Sequence, residues 1–335
     1  MPQETNNLLD PSTSDSLTLL PLETSNPLKH EPSGLQTPRH RERTWLHVAL
    51  FLATVLTTMV WGWLHYVGFL GDFSSSDVPE VAWIHGAWYS WTILAILGTH
   101  ELGHYYACRY YKIDASPPFF LPAPFFTGTF GAVIRIRKRI PTKAILFDIG
   151  IAGPIAGFIV AVPSLFLGLW LSRITELPSG GAGFITLGEP LLFQAAAWLV
   201  WGGTPDGYSI NLHPMGFAAW FGLLATAFNL LPIAQLDGGH ISYAAFGHKS
   251  AAVSAIGLTA LIGLTMFYSL AWLLLTVLLI IVMALTGGLK HPPTLDEHVP
   301  LDRTRCWLAV AAAIIFILCF TPTPFDTGGF TDVPY

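Results

Sequence analysis

The sequence predicts an all-α polytopic membrane protein of about seven transmembrane helices, with a short strand or re-entrant segment near a candidate site. Three observations carry that expectation. Of the 335 residues, 52% are hydrophobic and 11% charged, with a mean hydropathy of +0.53, whereas a soluble domain usually carries about 25% charged residues. The apolar residues gather in runs of membrane-crossing length. Lys and Arg fall mainly in alternate connections between those runs, as a multi-span topology requires. The formal net charge of −5 offers no basic face for nucleic acid. Cys108, Cys306 and Cys319 are too widely spaced for a disulfide framework or a thiolate zinc site.

Residues 1–44 are rich in Ser, Thr, Pro and Asn, and Asp10, Asp15, Glu23 and Glu31 are spread through them. Such a segment buries no core and reads as a disordered cytoplasmic tail. Its first long apolar run begins only near Trp45, which excludes a signal peptide, and its acidic residues argue against an organellar transit peptide. The embedded core is expected over residues 45–322 and a short polar tail over 323–335.

The first span covers residues 45–68 and the second residues 87–108. The stretch 117–126, Pro-Pro-Phe-Phe-Leu-Pro-Ala-Pro-Phe-Phe, is too proline-rich for a helix and too apolar for an ordinary loop. A segment dipping back into the membrane accounts for it, as does a surface loop buried by its neighbours. Residues 133–137 alternate apolar and basic side chains, a strand-like period of two. The third span, 144–171, contains Gly153 and Gly157, a small-xxx-small face for close helix packing. Residues 191–201 are apolar but too short to cross and suit an interfacial or re-entrant helix. The fourth span is 215–231. The run 251–285 is too long for one crossing and divides near Tyr268 and Ser269, and the last span is 307–320.

Basic residues orient this set with the amino terminus cytoplasmic. Arg39, Arg41 and Arg43 precede span one; Arg109, Lys112, Arg135, Arg137, Lys138, Arg139 and Lys143 separate spans two and three; Lys249, Lys290, Arg303 and Arg305 lie on the same side. Spans two and four then run in the same direction, so Asp237, just beyond span four, reaches the depth of the end of span two.

That end carries His100-Glu-Leu-Gly-His104. Histidines four apart project from one helical face, so both imidazoles reach a single metal ion, and Glu101 lies beside that face where it can take a proton from water. This is the H-E-x-x-H arrangement of zinc hydrolases. An ionisable residue at membrane depth costs about 2.5–3.5 kcal/mol on insertion scales, so three in five positions require a function. A catalytic zinc needs a third protein ligand. Asp237 is the first candidate, with Gly238 and Gly239 after it to let the backbone turn around an ion; Asp148 and His240 compete with it.

Taken together, His100-Glu-Leu-Gly-His104, the Gly150-Ile-Ala-Gly-Pro-Ile-Ala-Gly157 run, and Asn229-Leu-Leu-Pro followed by Leu236-Asp-Gly-Gly239 resemble the site-2 protease family of intramembrane zinc metalloproteases. The resemblance covers residues 85–305. It implies zinc bound by His100, His104 and Asp237, with Glu101 as general base and acid. It also implies a substrate-contacting Asn229, although this chain has Leu230 and Leu231 before Pro232 where members often have Asn-Pro. The implied activity is hydrolysis of peptide bonds in membrane-spanning substrate proteins within a lipid bilayer, with a multi-pass protein of a bacterial inner membrane as the expected setting. No residue pattern specifies an oligomeric state.

The competing classes are a membrane metal or proton transporter and an inactive family member acting as a scaffold. A transporter is expected to repeat acidic or histidine residues at mid-membrane in several spans, and the last three spans have none. A scaffold has no use for an intact Glu101.

Overall fold

The computed structural model of the chain describes residues 43–71, 80–125, 127–176, 186–286, 288–289 and 291–326. The expected amino-terminal tail lies outside them apart from its last two residues, as does most of the tail at 323–335. The described part is mostly helical. Its long helices are α1 (Thr44–Leu70), α2 (Ala87–Tyr110) and α3 (Lys143–Leu171), followed by the short α4 (Leu191–Trp201) and then α5 (Pro214–Asn229). The chain continues through α6 (Asp237–Phe246), α7 (Ser250–Phe267), α8 (Ala271–Thr286) and α9 (Arg303–Cys319). The break expected near Tyr268 and Ser269 lies between α7 and α8, where the Ser269 hydroxyl accepts the N–H of Ala271 at 3.2 Å and caps the new helix.

By length and composition, three helical stretches among the described residues are able to cross a membrane: α1, α3 and the continuous run Asp237–Phe267. Of the seven crossings read from the sequence, three meet this criterion and the other four fall short of it, for two physical reasons. Helices α5 and α8 have 16 residues and α9 has 17, about 24–26 Å at 1.5 Å per residue, short of a hydrocarbon core of about 30 Å. Helix α2 is long enough at 24 residues, but polar side chains dilute it, among them the buried His100, Glu101 and His104.

Helices α2, α3 and α5 form the centre. Trp220 on α5 is fully buried, with Leu165 and Leu169 of α3 and Ile96 of α2 in the same cluster. Close backbone approach makes this possible: a Cβ on Gly168 of α3 would lie 2.3 Å from the Cα of Gly216 on α5. The buried Trp220 satisfies its indole N–H on the carbonyl of Gly188 at 2.7 Å.

Within the proline-rich stretch, residues 119–122 form a strand. Strand β1 (Phe119–Pro122) pairs antiparallel with β2 (Thr129–Val133), in register Phe119 to Val133, with a bulge between Leu121 and Pro122. Pro122 sits at the strand end where the register shifts, a position at which a missing N–H costs little. The strand expected at 133–137 is thus displaced toward the amino terminus; beyond Val133 only Ile136 makes an isolated bridge, to Ala115. The hairpin is clasped by α1 and α2: His47 stacks on Phe119 at 3.8 Å, Thr57 donates to the Gly128 carbonyl at 2.6 Å, and Tyr89 donates to the Thr127 carbonyl at 2.7 Å. Two further antiparallel pairs join β3 (Arg173–Glu176) to β5 (Tyr208–Asn211) and β4 (Thr186–Leu187) to β6 (Phe325–Asp326).

Candidate metal centre

His100 and His104 lie one turn apart on α2, and both are buried, at 5% and 6% exposure. Asp237, the first residue of α6, meets them across 137 residues of sequence. The three ligand atoms form a near-equilateral triangle. His100 Nε2 is 3.1 Å from His104 Nε2 and 3.2 Å from Asp237 Oδ2, and His104 Nε2 is 3.3 Å from the same oxygen. Tetrahedral ligands about 2.0–2.1 Å from one ion are separated by about 3.3–3.4 Å, so the spacing suits one metal ion with a fourth position open. Two imidazoles and a carboxylate are also the donor types a zinc-like ion takes. Among the described residues this is the one cluster of at least three such side chains close enough to share an ion.

The imidazole of His104 is oriented by a second contact. Its Nδ1 lies 2.7 Å from the carbonyl of Ile149 on α3. A carbonyl only accepts, so Nδ1 carries the proton and Nε2 keeps its lone pair, the form in which an imidazole is able to bind a metal.

The glycines of α3 make the space for both rings. A Cβ on Gly153 would sit 2.0 Å from His104 Nε2, and one on Gly157 would sit 3.1 Å from His100 Cβ. The small face read as helix packing is therefore also the wall of the ligand pocket. Gly150 serves His240 similarly, since its Cβ would lie 3.0 Å from that residue's Cβ.

Glu101 is buried beside the triangle, and the backbone of Ile134, the residue after β2, lies near its carboxylate. The hairpin thereby reaches the glutamate. Asn229, the last residue of α5, brings Nδ2 to 3.2 Å from His100 Nε2 and so belongs to the same site. With a buried carboxylate, two imidazoles and an amide around one open position, the arrangement suits metal-assisted attack of water on a polarised carbonyl.

The competitors for the third ligand are engaged elsewhere. Asp148 accepts from Arg305 Nε at 2.8 Å and Nη2 at 2.5 Å, and from the Tyr111 hydroxyl at 2.5 Å. His240 stays on the same helix as Asp237, and its Nδ1 lies 2.9 Å from His291 Nε2. The backbone does not turn at Gly238 and Gly239, as expected from sequence; both are helical. Their lack of a side chain admits the preceding loop instead, because a Cβ would lie 2.1 Å from the Leu230 carbonyl and 2.2 Å from that of Ala234. Sequence reasoning missed the carbonyl of Ile149, the backbone of Ile134 and the Arg305 pair. The first two are backbone groups without residue identity, and the third joins positions 157 residues apart.

The sequence model of Peptidase family M50 matches residues 88–270. "Probable zinc metalloprotease EGY2, chloroplastic" of Oryza sativa subsp. indica is 29% identical over 330 residues, 92% of this chain and 57% of that protein. The protein of the same name from Arabidopsis thaliana is 31% identical over 245 residues, 70% of this chain and 41% of its own length. "Probable zinc metalloprotease EGY1, chloroplastic" of Oryza sativa subsp. japonica is 38% identical over 181 residues, 51% of this chain and 30% of its own length. The chain thus spans 30% to 57% of the length of these relatives. All three are named chloroplastic and come from plants, so they lend no support to a bacterial inner membrane. No solved structure matches the chain.

Proposed function

The chain belongs to Peptidase family M50, and from that premise we propose that it is an intramembrane zinc metalloprotease cleaving peptide bonds of membrane-spanning substrate proteins. The observation that carries the reading is the triangle of His100, His104 and Asp237 with Glu101 buried beside it, inside a bundle whose α1 and α3 are long and apolar enough to cross a bilayer. The working unit is the helical core, residues 45–322, with its amino terminus on the side of the basic connections.

His100, His104 and Asp237 would hold the ion. Zinc bound there supplies Lewis acidity toward a carbonyl oxygen and an attacking water. Glu101 takes the proton from that water and returns it to the leaving amine nitrogen. Burial keeps bulk water away from this carboxylate, which strengthens its interaction with the reacting groups. Asn229 contacts the substrate beside His100. Beyond Val133 the backbone groups of Arg135 and Arg137 bond to Ser116 and Asp114, which leaves the intervening Ile134 and Ile136 for edge pairing with an unwound substrate segment near Glu101.

The test uses purified full-length protein in detergent with a membrane-spanning peptide. Wild type should generate a new amino terminus detectable by mass spectrometry, and Glu101→Gln should retain zinc while losing that product. Cleavage by Glu101→Gln at near wild-type rate would remove the mechanism.

A further inference from the structure

The aim of His104 depends on where the Ile149 carbonyl lies, since that carbonyl holds Nδ1 at 2.7 Å. The residue before Ile149 is Asp148, whose carboxylate is gripped on both oxygens. Arg305 donates Nε to Oδ1 at 2.8 Å and Nη2 to Oδ2 at 2.5 Å, and the Tyr111 hydroxyl donates to Oδ2 at 2.5 Å. Arg305 also pairs with Asp302, the residue that caps α9 by accepting the Arg305 N–H at 3.0 Å. Tyr111 caps the carboxyl end of α2, seven residues beyond His104 on the same chain segment. One partly buried network therefore joins the end of the helix that carries both histidines, the second turn of the helix that carries the orienting carbonyl, and the start of α9.

We propose that Arg305 is a positioning residue of the metal site: its two-pronged grip ties α9 to α3 and holds the Asp148 carboxylate where Tyr111, at the end of α2, donates to it, which fixes α2 against α3 so that the Ile149 carbonyl holds His104 with Nε2 unprotonated and aimed at Asp237. A planar guanidinium matches both oxygens of a carboxylate at once and resists the slide of one helix along the other, which a point charge does not. Arg305 lies outside residues 88–270, so the support comes from a part of the chain beyond the family match. The inference rests on the metal-site reading of His100, His104 and Asp237 and is independent of any peptidase activity.

The experiment measures zinc affinity of full-length protein in detergent, by competition with a chelator, and the ligand-field spectrum after loading with Co2+. Arg305→Met and Asp148→Asn should each weaken zinc binding about 10–100-fold, the range found when an orienting contact to a metal-bound histidine is removed. Their combination should cost less than the sum of the two, because both break the shared Arg305–Asp148 contact. Arg305→Lys should recover part of the affinity, and the spectra of the weakened variants should shift as His104 reorients. Arg303→Met, a neighbouring exposed arginine at the start of the same helix, should bind zinc within about twofold of wild type, since it touches no part of this network. Wild-type affinity in folded Arg305→Met overturns the proposal, as does an equal loss in Arg303→Met, which would mean general loosening of α9. Should Arg305→Met fail to fold, Arg305→Lys decides: unchanged zinc affinity there overturns it, and a several-fold loss upholds it. Tight zinc binding by wild type without peptide cleavage would remove the proposed function and leave this inference standing.

Discussion

Replacing Gly153 with alanine tests whether the glycine run of α3 exists to house the metal ligands. The new Cβ would lie 2.0 Å from His104 Nε2 and 2.5 Å from both Cδ2 and Cε1, where ordinary contact begins at 3.4 Å. The obstruction is the ring of a buried residue tethered to Ile149, so relief means moving the ring by about 1.4 Å or displacing α2 from α3. Either movement breaks the 2.7 Å contact with Ile149 and takes Nε2 out of the triangle. Overpacking of a core costs about 1–3 kcal/mol, and a lost hydrogen bond about 0.5–1.5 kcal/mol. At 1.4 kcal/mol per decade, the combined cost of about 1.5–4.5 kcal/mol weakens zinc binding roughly 10- to 10³-fold. Gly157→Ala meets His100 Cβ at 3.1 Å and Nδ1 at 3.3 Å, which a shift of a few tenths of an ångström relieves, so its loss should stay below about tenfold. Gly263→Ala, with nothing within 4 Å in the middle of α7, serves as the control. Zinc titration against a competing chelator, with peptide cleavage alongside, should rank the three in that order. Gly153→Ala binding zinc within about twofold of wild type would refute the reasoning, because the ring would then have tolerated a methyl group in its own volume.

Asp237→Ala should lose most of the bound zinc and all cleavage, whereas His240→Ala should keep the metal, since its ring engages His291 rather than the triangle. Metal content of the two purified variants separates them, and zinc retained by Asp237→Ala would break the site assignment. A second test concerns pH. Burial, with Arg173 nearby, holds the His213 imidazole down at about 4 from its ordinary 6.5, and its Nδ1 accepts the Met215 N–H at the start of α5. The fold thus favours the neutral ring: this contribution is complete above pH 6.5 and is lost as pH falls from 6.5 toward 4, where the unfolded chain takes the proton first. His213→Asn keeps a capping acceptor without the titration, so its unfolding temperature should fall less than that of wild type between pH 7 and pH 5. Parallel curves would exclude His213 as the source.

Much of the helical architecture is legible in the sequence because it depends on local composition and period. The runs at 45–68, 144–171 and 191–201 coincide with α1, α3 and α4 within a few residues. The helix break after Phe267 is marked by a serine able to cap. His100 and His104 needed only their spacing of four to be placed on one face. Even Asp237 was accessible in outline, since span direction and Lys/Arg placement bring it to the same side.

What only the tertiary structure decided are matters of contact between distant segments. The apolar, proline-rich residues 117–126 satisfy no single local pattern, and residues 119–122 among them form β1 because β2, His47 and Tyr89 supply the partners. Helices α2 and α5 read as spans along the chain, whereas the structure gives α5 only 16 residues and buries His100, Glu101 and His104 of α2. Gly153 and Gly157 read as packing glycines along the chain, but the group they admit is named only once α2 is laid against α3. Asp148 competes with Asp237 for the third-ligand position along the chain, and only the structure puts Arg305, 157 residues later, on both its oxygens. Periodicity carries information over one or two turns of helix, whereas the orientation of an imidazole to within an ångström depends on backbone carbonyls and ion pairs that no local pattern encodes.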